Sequence, residues 1–260
     1  MELKKIKILI SFFLALSLCI QIVFAADQSI GIYSGTFDPI HNGHLKEVAD
    51  LSVKHFKLDK IIIYPNLKAT GKQPTLSFKQ RWELVYVATK DNPLYILPPI
   101  ETLNELLSEE FPNEAIVAWA QKNHPINTKF YQLMGTDSFE KFKNYPNGKK
   151  FLKNKKNEID IIVISRKGYY EDTKKIKHHN IHWFTPKSNM EMSSSSFRKD
   201  PVKYELNLPE AVVKEIKKQG YYGWNSDKKI YDLPDAASKK LTQINIKSDL
   251  GICLESALQN

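Results

Sequence analysis

GIYSGTFDPIHNGH, residues 31–44, decides how the rest of the chain is read. Ile30, Ile32 and Tyr33 close a short apolar strand, and Ser34-Gly35-Thr36 turns the chain. From Gly43 onward LKEVADLSVKHF has the spacing of an amphipathic helix. A strand, a polar glycine-containing turn and a helix start make a place for an anion, because the first-turn N–H groups and the positive dipole end face the loop. The turn adds the hydroxyls of Ser34 and Thr36 and the imidazoles of His41 and His44. The two histidines are three residues apart and can face one pocket. Gly43 between them allows a ligand close to the backbone. A phosphate chain suits this arrangement. His-x-x-His is also half of a metal site, and Asp-Pro and Asn-Gly are ordinary turn dipeptides; no metal ligands are assigned from the sequence.

Outward from this stretch, strand and helix alternate. KIIIYP (60–65) reads as a buried parallel strand, and 66–77 as a polar loop carrying Lys68 and Lys72. FKQRWELVYVATK (78–90) is helical with Arg81 in its first turn, Leu94 to Ile100 is a third strand, and 101–111 and 113–123 are helices. KFYQLMG (129–135), IDIIVIS (159–165) and IHWFTP (181–186) are further strands, and LPEAVVKEIKKQG (208–220) is a closing helix capped by Gly220. This order predicts an α/β fold, a Rossmann-like doubly wound parallel sheet, as a single domain over residues 27–222 with a C-terminal extension over 223–260. Ligands in such sheets lie at the carboxyl ends of the strands, where the candidate residues fall.

SSSSFR (193–198) stands between a short strand and a helix start. A hydroxyl caps the helix and Arg198 lies in its early turns, which makes a second anion cradle; a serine-rich linker is the bland alternative.

Both stretches resemble signatures of the nucleotidyltransferase superfamily. Residues 34–44 fit (G/S)GTFDPxHxGH, and Met192, Ser193, Ser194, Ser195 and Arg198 fit ISSTxIR. Within it the chain is similar to bacterial NadD-type nicotinate-nucleotide adenylyltransferases from Ile30 to about Tyr222, including Gly135-Thr136-Asp137 and the segment around Arg166. The resemblance implies transfer of AMP from ATP, with Mg²⁺, to a mononucleotide, and release of pyrophosphate. It implies His41, His44 and Arg198 as catalytic residues. Ser34, Gly35, Thr36, Phe37, Gly135, Asp137, Ser193, Ser194 and Ser195 would bind the nucleotide, and Lys72 (or Lys68) and Arg81 the acceptor's phosphate. Such a reaction needs no general base, because the acceptor phosphate is already a nucleophile at neutral pH. The family's acceptor-side Ser-Tyr-Thr is absent from PPIETLNELLSEEFPNEAIVAW, although Glu101 matches its Glu, and Tyr145 is the aromatic nearest a family Trp. Acceptor identity stays open.

The 260 residues carry a formal charge of +9, of which Lys4, Lys5 and Lys7 against Glu2 account for +2. That balance suits nucleotides; the lysines are scattered without interleaved aromatics, so no nucleic acid partner is expected. Residues 1–26 read as a secretory signal: a basic start, an apolar run from Ile8 to about Leu18, and small residues near Ala25. Export to the periplasm or beyond follows, or a membrane anchor if the signal stays. Cys253 then remains as a lone thiol, and His178, His179 and His182 read as solvated loop histidines. Export leaves two alternatives to catalysis on a mononucleotide: an exported nucleotide binder, or transfer to a different phosphate acceptor. Oligomeric state is not legible.

Overall fold

The computed structural model describes residues 28–68, 73–154, 159–165, 176–186 and 193–232. Residues 1–26, read above as an export signal, lie outside them, as do Lys72, Arg166 and residues 233–260. Strands β1 (Ser29–Gly35), β2 (Lys60–Pro65), β3 (Tyr95–Ile96), β4 (Lys129–Gly135), β5 (Asp160–Ile164) and β6 (Ile181–Phe184) form one sheet in the order β3-β2-β1-β4-β5-β6. Every pairing is parallel. The chain winds outward from β1 to β3, crosses back, and winds the other way from β4 to β6. The switch point therefore falls between β1 and β4, whose carboxyl ends are Gly35 and Gly135.

The apolar runs are long because the sheet is buried on both faces. Ile61 and Ile63 of β2 enter one core with Tyr33, Leu133, Ile162 and Ile164. That core is covered by α1 (Gly43–Asp50 in wider π-helical turns, continuing as Leu51–Phe56), α2 (Phe78–Thr89), α7 (Ser194–Lys199) and α9 (Glu210–Gln219). Ile62 and Tyr64 point the other way with Ile30 and Ile32, against α3 (Ile100–Ser108) and α4 (Pro112–Lys122). On that second face α5 (Thr136–Phe142) and α6 (Pro146–Lys153) cover Ile161 and Val163 through Phe139 and Phe151. A short α8 (Pro201–Tyr204) follows α7.

Helix ends follow their side chains. Ser77 and Gln80 form a reciprocal capping box at the start of α2, the Ser77 hydroxyl taking the Gln80 backbone N–H at 3.3 Å and the Gln80 side-chain Oε1 taking the Ser77 backbone N–H at 2.9 Å. Gly220 closes α9 at φ +69°, in the left-handed region a glycine adopts freely.

Three expectations change. The third strand shrinks to Tyr95–Ile96, since Pro98 and Pro99 offer no N–H to a ladder and α3 starts at Ile100. Helices α5 and α6 occupy a stretch left unassigned in the sequence. The folded unit also does not stop at residue 222. A two-stranded hairpin, β7 (Trp224–Asn225) and β8 (Ile230–Tyr231), packs on the first core, with the Tyr231 ring edge-on to Trp224 at 5.0 Å and to Phe197 at 6.3 Å. The Tyr231 hydroxyl donates to Glu205 at 3.0 Å. Truncating Tyr231 to Ala removes a ring that is 8% exposed. It should cost about 2–4 kcal/mol of stability in urea unfolding; an unchanged midpoint would mean that the hairpin is ornamental.

Candidate active site at the carboxyl edge of the sheet

The loop after β1 is built around close contacts. Phe37 sits at φ +46° and turns its ring back beneath Gly35, where a Cβ would stand 2.6 Å from a ring carbon. Glycine is therefore required at 35. The Phe37 ring meets His44 edge-on at 4.9 Å, and the His41 ring stacks on His44 at 3.6 Å with 29° between planes. Phe37 and His41 are almost wholly buried, while His44 is half-buried at the cleft surface. The His41 backbone N–H donates to His44 Nδ1 at 3.3 Å. That nitrogen must then carry a lone pair, so in the neutral ring the proton sits on Nε2. The outer nitrogen is the donor, as a phosphate oxygen requires.

Asp38 holds the loop from below. It is fully buried, and its carboxylate accepts the Thr75 N–H at 2.6 Å, the Leu76 N–H at 3.3 Å and the Tyr222 hydroxyl at 2.8 Å. Arg198 Nη1 lies 3.5 Å from the carboxylate and donates to the Asp38 carbonyl at 2.5 Å. Its Nη2 donates to the Ser195 hydroxyl at 3.2 Å. The Ser194 hydroxyl donates to the Pro39 carbonyl at 2.9 Å, and the Ser193 hydroxyl caps α7 by taking the Ser196 N–H at 3.0 Å. The early and late motifs, some 155 residues apart in the chain, are thus bonded to one another. Asp38 and Tyr222 join this junction without a role assigned to them from the sequence. The signal for Asp38 is a carboxylate flanked by apolar residues inside a signature, although Asp-Pro reads equally well as a turn dipeptide.

A cleft of about 1500 Å³ opens above this junction. Ser34, Gly35, Thr36, His41 and His44 line it from one side, and Ser193, Ser194, Ser195 and Arg198 from the other. Gly135 and Asp137 line it at the end of β4; Asp137 is exposed on the first turn of α5, and a Cβ on Gly135 would meet nothing within 4 Å. The Thr136 hydroxyl tethers that corner to the Ile164 carbonyl at 3.2 Å. Farther out, α4 contributes Glu114, α5 Lys141 and α6 Lys150, with Tyr145 at the cap before α6. These last two lysines had not been singled out. Glu101 is exposed on α3 and does not line the cleft.

Arg81 requires a correction. It was expected to meet the acceptor's phosphate, but it is 1% exposed and lies under the loops, outside the cleft lining. Its guanidinium donates to the carbonyls of Thr36 (2.6 Å), Asn66 (2.9 Å) and Leu76 (3.3 Å). Burial pulls its pKa down, while Asp38 and the Tyr222 phenol hold it up. Phe37, by contrast, lines the cleft as well as packing beneath Gly35. Lys72 lies outside the described residues; Lys68 is exposed and lines the cleft. Burial pushes the Tyr64 phenol up to about 12, partly offset by a hydrogen bond to Ser34, so it stays protonated behind the loop. Burial and then Asp38 push Tyr222 well above its ordinary value, which keeps its hydroxyl a donor.

The histidine cluster lies elsewhere. His182 pairs with Asp160 at 2.7 Å on β6, and His178 stacks against His179 and bonds the Asn154 carbonyl. Among the described residues no group of three His, Cys, Asp or Glu side chains is placed to hold a metal ion.

A family sequence profile described as "Cytidylyltransferase-like" matches residues 32–200, which includes both motifs. The chain belongs to the cytidylyltransferase-like family. A protein of Dictyoglomus thermophilum described as "Probable nicotinate-nucleotide adenylyltransferase" is 33% identical over 209 residues, covering 75% of this chain and 100% of that protein. One of the same description from Dictyoglomus turgidum is 35% identical over 140 residues, covering 54% of this chain and 64% of the other. The fold of this cytidylyltransferase-like protein is similar to that of the Plasmodium falciparum nicotinic acid mononucleotide adenylyltransferase complexed with NaAD. The TM-score is 0.60 at 20% identity, over 76% of this chain and 99% of that one.

Replacing Arg81 by Ala should lower stability by about 3 kcal/mol or more, since three carbonyls lose a charged donor and Asp38 loses a neighbouring cation. An intact unfolding midpoint with a raised Michaelis constant for the acceptor would restore Arg81 to the substrate.

Proposed function

We propose that this protein is an adenylyltransferase. It transfers AMP from ATP to the phosphate of a mononucleotide, nicotinate mononucleotide foremost and nicotinamide mononucleotide next, and releases pyrophosphate. One observation carries this reading: His41, His44 and Arg198, drawn from distant parts of the chain, line one cleft above a shared carboxylate. Family membership and the relatives' descriptions support it. The cleft volume also exceeds the roughly 300–1,000 Å³ usual for one small ligand, which leaves room for two substrates.

The step is an in-line displacement. An acceptor phosphate oxygen bonds to the α-phosphorus of ATP, and the bond from that phosphorus to the bridging oxygen of the β-phosphate breaks. The electron pair leaves on pyrophosphate. No protein nucleophile is needed, so the side chains position and neutralise charge. His44 presents its Nε2–H toward the reacting phosphate, held at that tautomer by the His41 amide. Arg198 and the turn at Ser193–Ser195 hold the leaving phosphates. Asp137 bonds a ribose, and Lys68 or Lys72 takes the acceptor's phosphate. The residues present suit Mg²⁺ carried on the triphosphate, with the exposed Asp137 as the carboxylate at the end of β4 that would stand near it. Bound with ATP, Mg²⁺ supplies further neutralisation of phosphate charge.

Residues 1–26 are proposed to direct export, on the strength of their basic and apolar segments. The mass of the mature N-terminus decides it: a chain beginning near Asp27 is expected, and an intact cytosolic Met1 form would refute export.

Purified protein with Mg-ATP and a panel of phosphate acceptors should release pyrophosphate with a pyridine mononucleotide. ATP binding without release for any acceptor would favour an idle binder, and release with another phosphate alone would reassign the acceptor. Converting His44 to Ala should cut turnover by about 10²–10³, and unchanged turnover would remove its role.

A further inference from the structure

We propose that Tyr222 is a positioning residue for Arg198, acting through Asp38 from outside both sequence motifs. The inference rests on Arg198 being a ligand of the leaving phosphates. Tyr222 stands in the turn after α9, a single 3₁₀ turn over Tyr221–Gly223, with φ +56° and ψ 29°. A bulky residue in the left-handed region persists only where its surroundings over-determine it. Here two contacts do so. The ring packs edge-on to Phe197 at 5.3 Å, the residue before Arg198, and the hydroxyl reaches Asp38 Oδ1 at 2.8 Å.

The carboxylate divides its partners between two oxygens. Oδ1 takes the Tyr222 hydroxyl and a longer bond from the Leu76 N–H at 3.3 Å. Oδ2 takes the Thr75 N–H at 2.6 Å and faces Arg198 at 3.5 Å. That guanidinium separation is long for a paired ion, and the Arg198 side chain remains about one-quarter exposed. Arg198 is therefore anchored without being consumed, and its charge stays available to a guest in the cleft. The Tyr222 hydroxyl maintains this division. Without it, Oδ1 in a fully buried site keeps one long bond, and the least costly relief is for the carboxylate to turn toward the cation. Arg198 would then be drawn down into a closer pair and away from the phosphates.

Tyr231 provides an internal comparison. It belongs to the adjoining hairpin, contacts the same Phe197 ring, and loses an equivalent bond, to Glu205, when its hydroxyl is removed. That bond does not lead to Asp38. The test uses the full chain as wild type, Tyr222→Phe and Tyr231→Phe, with unfolding midpoints recorded for each. Inorganic pyrophosphate is titrated calorimetrically in the presence of Mg²⁺, and Michaelis constants are measured separately for ATP and for nicotinate mononucleotide. Tyr222→Phe should weaken pyrophosphate and raise the ATP constant by about tenfold, the worth of one hydrogen bond to a charged group, with the mononucleotide constant unchanged. Tyr231→Phe should match wild type in both. Equal pyrophosphate binding by Tyr222→Phe and wild type would overturn the inference. So would equal weakening in both variants in step with lost stability, or a wild type that does not bind pyrophosphate. Pyrophosphate binding in the expected pattern with no dinucleotide formed would keep the inference and remove the adenylyl-transfer reading instead.

Discussion

A carboxylate with no exposure, Asp38, is the constraint on which the site depends. Taking such a charge out of water costs several kcal/mol unless its lone pairs are met and cations stand near. The structure meets them from four places: the loop before α2 gives Thr75 and Leu76, the α7 turn gives Arg198, the segment after α9 gives Tyr222, and Arg81 stands by from α2. Each of these elements must arrive for the others to be tolerated. Two guanidiniums against one carboxylate also leave the floor of the cleft with a positive balance, which favours a polyanion above it. Burying one acid thus fixes how the two motifs stand relative to one another, which is the geometry the proposed function uses for phosphate.

The sheet order explains why these elements can meet. With β1 and β4 adjacent and the chain winding away on either side, loops after both strands diverge and leave a crevice between them. α7 and α9 return late in the chain to cover the same face as α1 and α2, which brings Arg198 and Tyr222 under residues 36–41. The outer half of the cleft is built differently. It is formed by α4, α5 and α6 on the opposite face, where Glu114 bonds Asn147 at 2.9 Å and lysines stand at the rim. That half departs from the family pattern in sequence, and it is the half in which substrate choice would be made.

Much of this was legible in the residues. Near-continuous β-branched runs such as IIIY marked buried parallel strands, and glycine, serine and histidine at strand ends marked the cleft. What escaped has physical causes. The sequence points Arg81 at the acceptor's phosphate because it does not reveal that three carbonyls converge on the guanidinium; only the packing of the 36, 66 and 76 loops does. Helices α5 and α6 are short, carry four lysines between them and are separated by residues 143–145, so their periodicity is weak until Phe139 and Phe151 find the sheet. The hairpin after residue 222 has strands of two residues each, below the length at which alternation can be detected. Asp38 was hidden by its own neighbour, since Asp-Pro reads as a turn whether or not the acid is buried.

Two distant sequence motifs line one cleft and are joined beneath it by one acid, and the proposed function makes that junction a phosphate clamp. A crystal structure of the full chain with Mg²⁺ and an ATP analogue bridged by methylene between the α- and β-phosphates tests that claim most directly. The account expects the His44 Nε2 and the Arg198 guanidinium on the same phosphate chain, with Asp38 still holding Arg198 from below. A nucleotide held by only one of the two motifs, or seated away from the carboxyl edge of β1 and β4, would contradict it.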